Sequence, residues 1–186
     1  MRLPDLLPVV AGVGTIAYPF LVYFGLPHLP PGPLIVLAVA LGGLQVVRQR
    51  GIGFVPRWSL LLIPCLLLAL FAFRPILAVQ AYPPLISLCL AATFAWSLVH
   101  PPSAVERIAR LTRPDMPPRA VAYTRNVTKV WTMFFLANAA IASACAAWFT
   151  VAIWTLWTGL LSYVLIGVLV TGEILVRRRM FGRETA

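Results

Sequence analysis

The sequence predicts an all-α protein, a polytopic membrane helical bundle of about six transmembrane helices with one short amphipathic helix at the membrane surface. Three observations predict this fold class. Of the 186 residues, 61% are hydrophobic and only 11% are charged, whereas about a quarter of the residues of a soluble domain are charged. The apolar residues form runs long enough to cross a bilayer, and most basic residues lie between those runs. We therefore expect residues 1–186 to form a single membrane domain.

Each apolar run predicts one helix of the bundle, because a helix needs roughly 20 apolar residues to cross the hydrocarbon core. We expect spans at residues 6–24, 33–47, 58–73, 76–99, 129–150 and 154–176. The first is expected to be a retained span and not a cleavable signal peptide, because a Pro-rich turn follows it instead of a small-residue cleavage site. Within the fourth, Pro83 and Pro84 predict either a kink or a helix that begins only after them.

Charge predicts the orientation, because basic residues near the ends of spans favour the cytoplasmic side. If the N-terminus is inside, all but one of the 15 basic residues fall on the cytoplasmic side, and only Arg74 lies outside. The cytoplasmic set is Arg2, Arg48, Arg50, Arg57, Arg107, Arg110, Arg113, Arg119, Arg125, Lys129, Arg177, Arg178, Arg179 and Arg183. We therefore expect both termini in the cytoplasm.

Residues 100–128 are predicted to form a cytoplasmic amphipathic segment. Ser103 and Glu106 have the spacing of a capping box, so a short helix should begin just after Ser103. This helix would carry Arg107 and Arg110 away from its apolar face and lie in the headgroup layer. Two interpretations stay open for these arginines: a lipid-surface anchor, or an anion-binding site for lipid phosphate or an acidic carrier protein.

The last two spans are predicted to form a hairpin that contains Glu173, the one acidic residue inside a span. A helix that starts at Pro118 should run directly into the fifth span. Because a charged group at the centre of the hydrocarbon costs about 2.5–3.5 kcal/mol, Glu173 should have a basic partner, either Lys129, Arg125 or Arg177. Two interpretations stay open: a charged site facing a cavity that opens to the cytoplasm, or a salt bridge that locks the inner end of the hairpin.

Small and polar residues on the fifth span predict a packing face. Ala139, Ser143 and Ala147 recur every four residues, a spacing that lets helix backbones approach closely in lipid. Asn138 is expected to form an interhelical hydrogen bond. The packing face would serve either the bundle itself or a homo-oligomer.

Residues with recognisable chemistry are sparse in this sequence. The two histidines, His28 and His100, fall on opposite sides of the predicted membrane, and the three cysteines do not have a metal-binding spacing. We therefore expect no metal and no cofactor, and no catalytic residue can be named. No basic stripe with interleaved aromatic residues forms a domain of its own, so nucleic acid is not an expected partner. The expected partner is the lipid bilayer, with an acyl carrier protein or lipid headgroups as candidates.

The C-terminal half carries a longer pattern: E-R-x-x-R from Glu106, then R-P-D-M-P-P, Y-T-R-N-V-T-K-V-W-T-M-F-F and Asn138, then W-x-x-W-x-G-L-x-x-Y, and Glu173 with Arg177. This pattern resembles a family of small bacterial inner-membrane proteins that accompany fatty-acid-like and aryl-polyene biosynthesis genes. The resemblance implies a bacterial cytoplasmic membrane and a lipid or polyene pathway whose acyl chains are attached to carrier proteins. By this analogy the residues to test first are Arg107, Arg110, Arg125, Lys129, Glu173 and Arg177.

Three functions stay open at the level of sequence. The leading hypothesis is an accessory inner-membrane protein, a scaffold or a lipid- or polyene-handling transporter, whose basic face docks an acidic acyl carrier or lipid headgroups. The second is a membrane enzyme for acyl or glycosyl transfer that uses Glu173 or Asp115. The third is a structural subunit of a larger membrane complex.

Overall fold

The computed structural model describes the backbone of residues 3–49, 59–111 and 113–181, and within these the side chains of residues 13–41, 65–111 and 113–180. Over the described residues the fold is helical, as predicted, and contains no strand. The helices are α1 (Leu3–Gly25), α2 (Pro31–Gln49), α3 (Ser59–Phe73), α4 (Pro75–Val99), α5 (Ala104–Arg110), α6 (Pro118–Trp148), α7 (Val151–Leu156) and α8 (Ser162–Phe181). One turn of π-helix, Trp157–Leu161 (the π-turn), joins α7 to α8.

Three helical segments among the described residues are long and apolar enough to cross a membrane: Pro75–Val99, Pro118–Trp148 and Val151–Met180. They contain the last three predicted spans, except for a few terminal residues. The described apolar parts of α1 and α2, Val13–Gly25 and Pro31–Leu41, are shorter, and α3 has 15 residues. The fold is therefore that of an all-helical protein whose long apolar helices are compatible with a membrane location.

The amphipathic segment predicted at residues 100–128 is divided between two helices. α5 takes only its first part, with Ser103 as the N-cap and Glu106 at the third helical position, the places predicted from the capping-box spacing. Its last part, from Pro118, belongs to α6, a 31-residue helix that continues through most of the predicted fifth span to Trp148. Proline suits this position because the first helical residue needs no N–H donor.

α4 continues without a break through Pro83 and Pro84. The proline at position 83 removes the N–H that would bond the carbonyl of Val79 one turn earlier. The hydroxyl of Tyr18 in α1 donates to that carbonyl over 2.8 Å. Tyr18 is fully buried, and its ring meets the ring of Tyr82 edge-on with the centroids 4.8 Å apart. α1 thus supplies the hydrogen bond that the proline removes from α4. Lipid has no donor that could satisfy such a carbonyl.

The π-turn is a second irregular stretch of helix, and it also packs on α1. The carbonyl of Trp157 accepts the N–H of Ser162 and lies 2.8 Å from the hydroxyl of the same residue. Gly159 approaches α1 so closely that a Cβ atom there would come within 2.9 Å of the ring of Phe20. A larger residue at position 159 would therefore have to displace the ring of Phe20.

α4 and α6 form the most extensive helix pair among the described residues. The buried face of α6 consists of Thr124, Thr128, Thr132, Phe135, Ala139, Ala142 and Cys145. Of the face predicted for packing, Ala139 is buried, but Ser143 and Ala147 are exposed. A strict four-residue spacing drifts around a helix by about 40° per step. The contact line within the chain mixes steps of three and four residues instead, so it leaves Ser143 and Ala147 on the outer side.

The hydrogen bond from Tyr18 to the Val79 carbonyl is testable by a double-mutant cycle. Tyr18→Phe should lower the free energy of unfolding by about 1 kcal/mol, the usual net loss when one buried hydrogen bond is removed. In a Pro83→Ala background, residue 83 regains its N–H and the Val79 carbonyl regains a helical donor. Tyr18→Phe should then cost roughly half as much or less. Unfolding of the four proteins by SDS in mixed micelles, followed by circular dichroism, gives the free energies.

The matched control is Tyr23→Phe, because Tyr23 lies on the same helix and is 41% exposed. Its effect should stay within about 0.5 kcal/mol, as for most surface substitutions. Equal losses from Tyr18→Phe in the two backgrounds would contradict the idea that the hydroxyl replaces the missing donor of the proline.

Candidate functional site at the basic end

One end of the bundle collects nearly all the basic side chains that the structure describes. α6 begins and α8 ends there, since the hydroxyl of Tyr123 donates to the carbonyl of Glu173 over 3.3 Å. The residues of this basic end are Arg107, Arg110, Arg113, Arg119, Arg125, Lys129, Arg177, Arg178 and Arg179. Arg74 precedes the opposite end of α4. The side chains of Arg2, Arg48, Arg50, Arg57 and Arg183 lie outside the described ones.

α5 is attached to its neighbours through the amides of its first turn. The amide of Ala104 donates to the hydroxyl of Ser97 in α4 over 2.9 Å, and the amide of Val105 donates to the hydroxyl of Thr128 in α6 over 3.3 Å. Amides at the start of a helix have no partner in the helix itself. Side chains of α4 and α6 fill this role here, so α5 is fixed to both of the helices that form the most extensive pair.

Glu106 is buried, and its charge is neutralised inside the protein. Its Oε1 atom accepts from Nε and Nη2 of Arg110 at 2.9 and 2.8 Å, while its Oε2 atom accepts the amide of the N-cap residue at 3.3 Å. Arg110 also donates to the carbonyl of Pro114 over 2.9 Å. Arg107 donates to the carbonyl of Pro102 over 3.0 Å. Two residues predicted for anion binding, Arg107 and Arg110, therefore have guanidinium groups that hold the local backbone.

Glu173 pairs with the basic residue on its own helix. The Nε atom of Arg177 lies 3.8 Å from Oε1 of Glu173, one turn along α8, so this ion pair does not join the two arms of the hairpin. Neither Arg125 nor Lys129 forms an ion pair with Glu173 in the described structure. Lys129 has the depth that the hairpin predicts, but it lies about 120° around α6 from Tyr123, the residue that reaches α8. Two residues at the same depth on the two helices of the hairpin therefore need not face each other.

The other basic side chains of this end are exposed: Arg113, Arg119, Arg125, Lys129, Arg178 and Arg179. The described carboxylates nearby are Glu106, Asp115 and Glu173, so nine basic groups face three acidic ones. Two of those three acids are already paired with arginines on their own helices. The basic end therefore has a large excess of positive charge that no described side chain balances.

Apolar and aromatic side chains border these charges. Ile108 of α5 is 61% exposed, and Leu111, directly after α5, is 84% exposed. The ring of Trp96 at the end of α4 stacks on the ring of His100 with the centroids 3.8 Å apart. A short helix that exposes large apolar side chains beside arginines is typical of a membrane–water boundary.

Farther from the basic end, Asn138 joins three elements by hydrogen bonds. Its Nδ2 atom donates to the hydroxyl of Ser87 in α4 over 2.9 Å. Its Oδ1 atom accepts from the indole N–H of Trp157 over 3.1 Å and from the hydroxyl of Ser162 over 2.7 Å. Ser162 has one hydroxyl hydrogen, which it shares between Asn138 and the carbonyl of Trp157. This network fixes the π-turn against α4 and α6.

The sequence identified Asn138 as an interhelical hydrogen-bonding residue but did not identify its partners. Ser87 and Ser162 are buried polar residues within apolar runs. A hydroxyl in such a run is a signal by which the sequence could have identified them as hydrogen-bonding partners. Tyr123 carried no comparable signal, because a tyrosine near the start of a span also suits the headgroup layer.

Groups suited to metal or acid–base chemistry are dispersed. The described residues contain no group of three His, Cys, Asp or Glu that could hold a metal ion. Asp115 is exposed before α6, and Glu173 is paired with Arg177.

Comparison with protein-family models, curated proteins and solved structures gave no match.

The Asn138 network gives a second prediction of stability. Asn138→Leu should lower the free energy of unfolding by about 1–2 kcal/mol, because interhelical hydrogen bonds in membranes average roughly 0.6 kcal/mol and three are lost. Unfolding by SDS in mixed micelles measures the change. Asn126→Leu is the matched control, since Asn126 is exposed on the same helix. Similar losses from the two substitutions would mean that the network adds nothing to a general cost of replacing asparagine.

Proposed function

We propose that this protein is an accessory protein of the bacterial inner membrane that serves a fatty-acid-like biosynthetic pathway. In this role it is a scaffold or a lipid- or polyene-handling transporter, and its basic end docks an acidic acyl carrier protein. The excess of positive charge at the basic end carries this proposal, because unbalanced charge attracts and orients an oppositely charged protein. The pathway itself is suggested by the resemblance in the C-terminal half of the sequence.

The proposal includes six spans with both termini in the cytoplasm. α4, α6 and the α7–α8 helix would be the last three spans, and α1, α2 and α3 would be the first three. An even number of spans puts both termini on one side, and the basic end would face the cytoplasm because positive charge favours that side. Arg74, between α3 and α4, would then face the outside.

In this arrangement α5 would lie along the inner surface of the membrane. Ile108 and Leu111 would enter the headgroup layer, and the exposed arginines beside them would stay in water. A carrier protein that arrives from the cytoplasm would meet the positive charge at the membrane surface, next to the lipid that its acyl chain must enter. The exposed residues Arg113, Arg125 and Lys129 are the ones we expect to contact it.

The orientation is tested with reporter fusions in a bacterial host. Green fluorescent protein fused after Ala186 should fluoresce, and alkaline phosphatase at the same place should be inactive, because that enzyme matures only outside the cytoplasm. Alkaline phosphatase fused after Arg74 should be active. An active phosphatase at both positions, or at the C-terminus alone, would contradict the proposed six-span orientation.

Docking of the carrier protein is tested with a charge-neutralised variant in nanodiscs of zwitterionic lipid. Replacing Arg113, Arg125 and Lys129 by glutamine should weaken the binding of a fluorescent acyl carrier protein by about tenfold, because each exposed ion pair contributes roughly 0.5 kcal/mol. Fluorescence anisotropy gives the affinity. Binding to the unchanged protein should also weaken as salt is raised, since salt screens exposed charges.

Arg74→Gln is the matched control for this variant, because it removes a basic charge from the opposite end of α4 and should leave binding unchanged. A well-expressed triple variant that binds the carrier as tightly as the unchanged protein would remove the carrier from the proposal.

In a strain that lacks the gene, the amount of membrane-associated polyene or unusual lipid tests the pathway. This amount should fall on deletion and recover with the unchanged gene, whereas no change on deletion would contradict a role in the pathway.

A further inference from the structure

The two ion pairs at the basic end differ in geometry. Arg110 donates to one oxygen of Glu106 from Nε and Nη2 at 2.9 and 2.8 Å, and it also donates to the carbonyl of Pro114. The Nε atom of Arg177 lies 3.8 Å from Oε1 of Glu173, a distance too long for a hydrogen bond. The first pair is therefore part of the local fold, whereas the second is held by charge alone.

The guanidinium group of Arg177 keeps its hydrogen-bonding capacity. It forms no hydrogen bond with the described residues, and its side chain is 57% exposed. A guanidinium group has five N–H donors in a planar arrangement that matches a carboxylate. Arg107 and Arg110, in contrast, donate to backbone carbonyls beside α5. The donors of Arg177 are thus available to an acidic group that approaches this end of the bundle.

The carboxylate of Glu173 is in a different position from the arginine with which it pairs. Its side chain is only 22% exposed, and its backbone carbonyl accepts from Tyr123, which ties this turn of α8 to α6. Glu173 lies inside an apolar run that ends at Val176, and Arg177 is the first residue after this run. The carboxylate is therefore held at the edge of the run, whereas the long side chain of Arg177 is able to reach into water.

We propose that Glu173 is an internal competitor for Arg177, and that Arg177 exchanges it for an acidic side chain of the docked carrier protein. An ion pair between residues four apart on a helix surface contributes little and opposes the exchange only weakly. A carboxylate bonded by two guanidinium N–H groups is held more strongly. Glu173 thus lowers the affinity for the carrier and takes Arg177 back when the carrier leaves. This inference rests on the proposed function and adds to it one residue that binds the carrier and one that opposes binding.

The affinity for a fluorescent acyl carrier protein, measured by anisotropy in nanodiscs of zwitterionic lipid, tests the exchange. Glu173→Gln should raise the affinity about two- to threefold, because it removes the competing carboxylate and keeps the size of the side chain. Arg177→Gln should lower the affinity by a similar factor. A variant with a damaged fold would bind less well, so an increase for Glu173→Gln cannot come from misfolding.

A double variant separates competition for Arg177 from a general effect of charge. Removing any negative charge near the basic end favours an acidic partner through long-range attraction. Asp115→Asn is the matched control, because Asp115 is exposed and belongs to no ion pair among the described residues. In an Arg177→Gln background, the effect of Glu173→Gln should fall to that of Asp115→Asn. The effect of Asp115→Asn itself should be the same in both backgrounds.

Two results would overturn the exchange alone. One is an equal gain from Glu173→Gln with and without Arg177, since the carboxylate would then act only by its charge. The other is an unchanged affinity after Arg177→Gln in a protein whose carrier binding still depends on Arg113, Arg125 and Lys129. A carrier that does not bind the unchanged protein would overturn both this inference and the docking proposal, so the two failures are distinguishable.

Discussion

A backbone carbonyl that loses its helical donor inside a membrane cannot turn to water, and this constraint explains how α1 is joined to the other helices. Pro83 frees the carbonyl of Val79, and the hydroxyl of Tyr18 bonds it. One residue further along α1, the carbonyl of Pro19 accepts from the hydroxyl of Thr155 in α7 over 3.3 Å. α1 is thus joined to α4 where proline interrupts the hydrogen bonds of α4, and to α7 just before the π-turn. Without the proline, the Val79 carbonyl would already have a helical donor, and the bond from Tyr18 would contribute less.

The same need to satisfy polar groups is met differently on the buried face of α6, which packs on α4. On the buried face of α6, the hydroxyls of Thr128 and Thr132 donate to carbonyls one turn back, each over 2.8 Å. Their hydroxyls thus have partners within α6, so these two threonines are buried without an unpaired hydroxyl. Hydrogen bonds join α8 to α6 at Glu173 and at Ser162, and most of the side chains of α8 between these two residues are exposed.

Features set by local sequence were predictable, and features set by rotation around a helix were not. Hydropathy located the long helices, the Ser103–Glu106 spacing located the start of α5, and a lone amide in an apolar run identified Asn138. Of the three partners predicted for Glu173, the structure has Arg177. The sequence could not choose among the three, because the rotation that turns Lys129 away depends on which face of α6 packs on α4. The contact of Gly159 in the π-turn with Phe20 of α1 joins residues far apart in sequence, so no local pattern encodes it.

The placement of the acidic residues connects the charge of the basic end to its proposed partners. Glu106 and Glu173 each pair with an arginine one turn later on the same helix, so these ion pairs shape single helices and do not bind one helix to another. Because the pairs are local, they leave the arginines and lysine that α6 and α8 expose at this end without a counter-charge from the neighbouring helix. In the proposed function an acidic carrier protein supplies this counter-charge, and it would meet exposed side chains of α6 and of the segment before it at one end of the bundle.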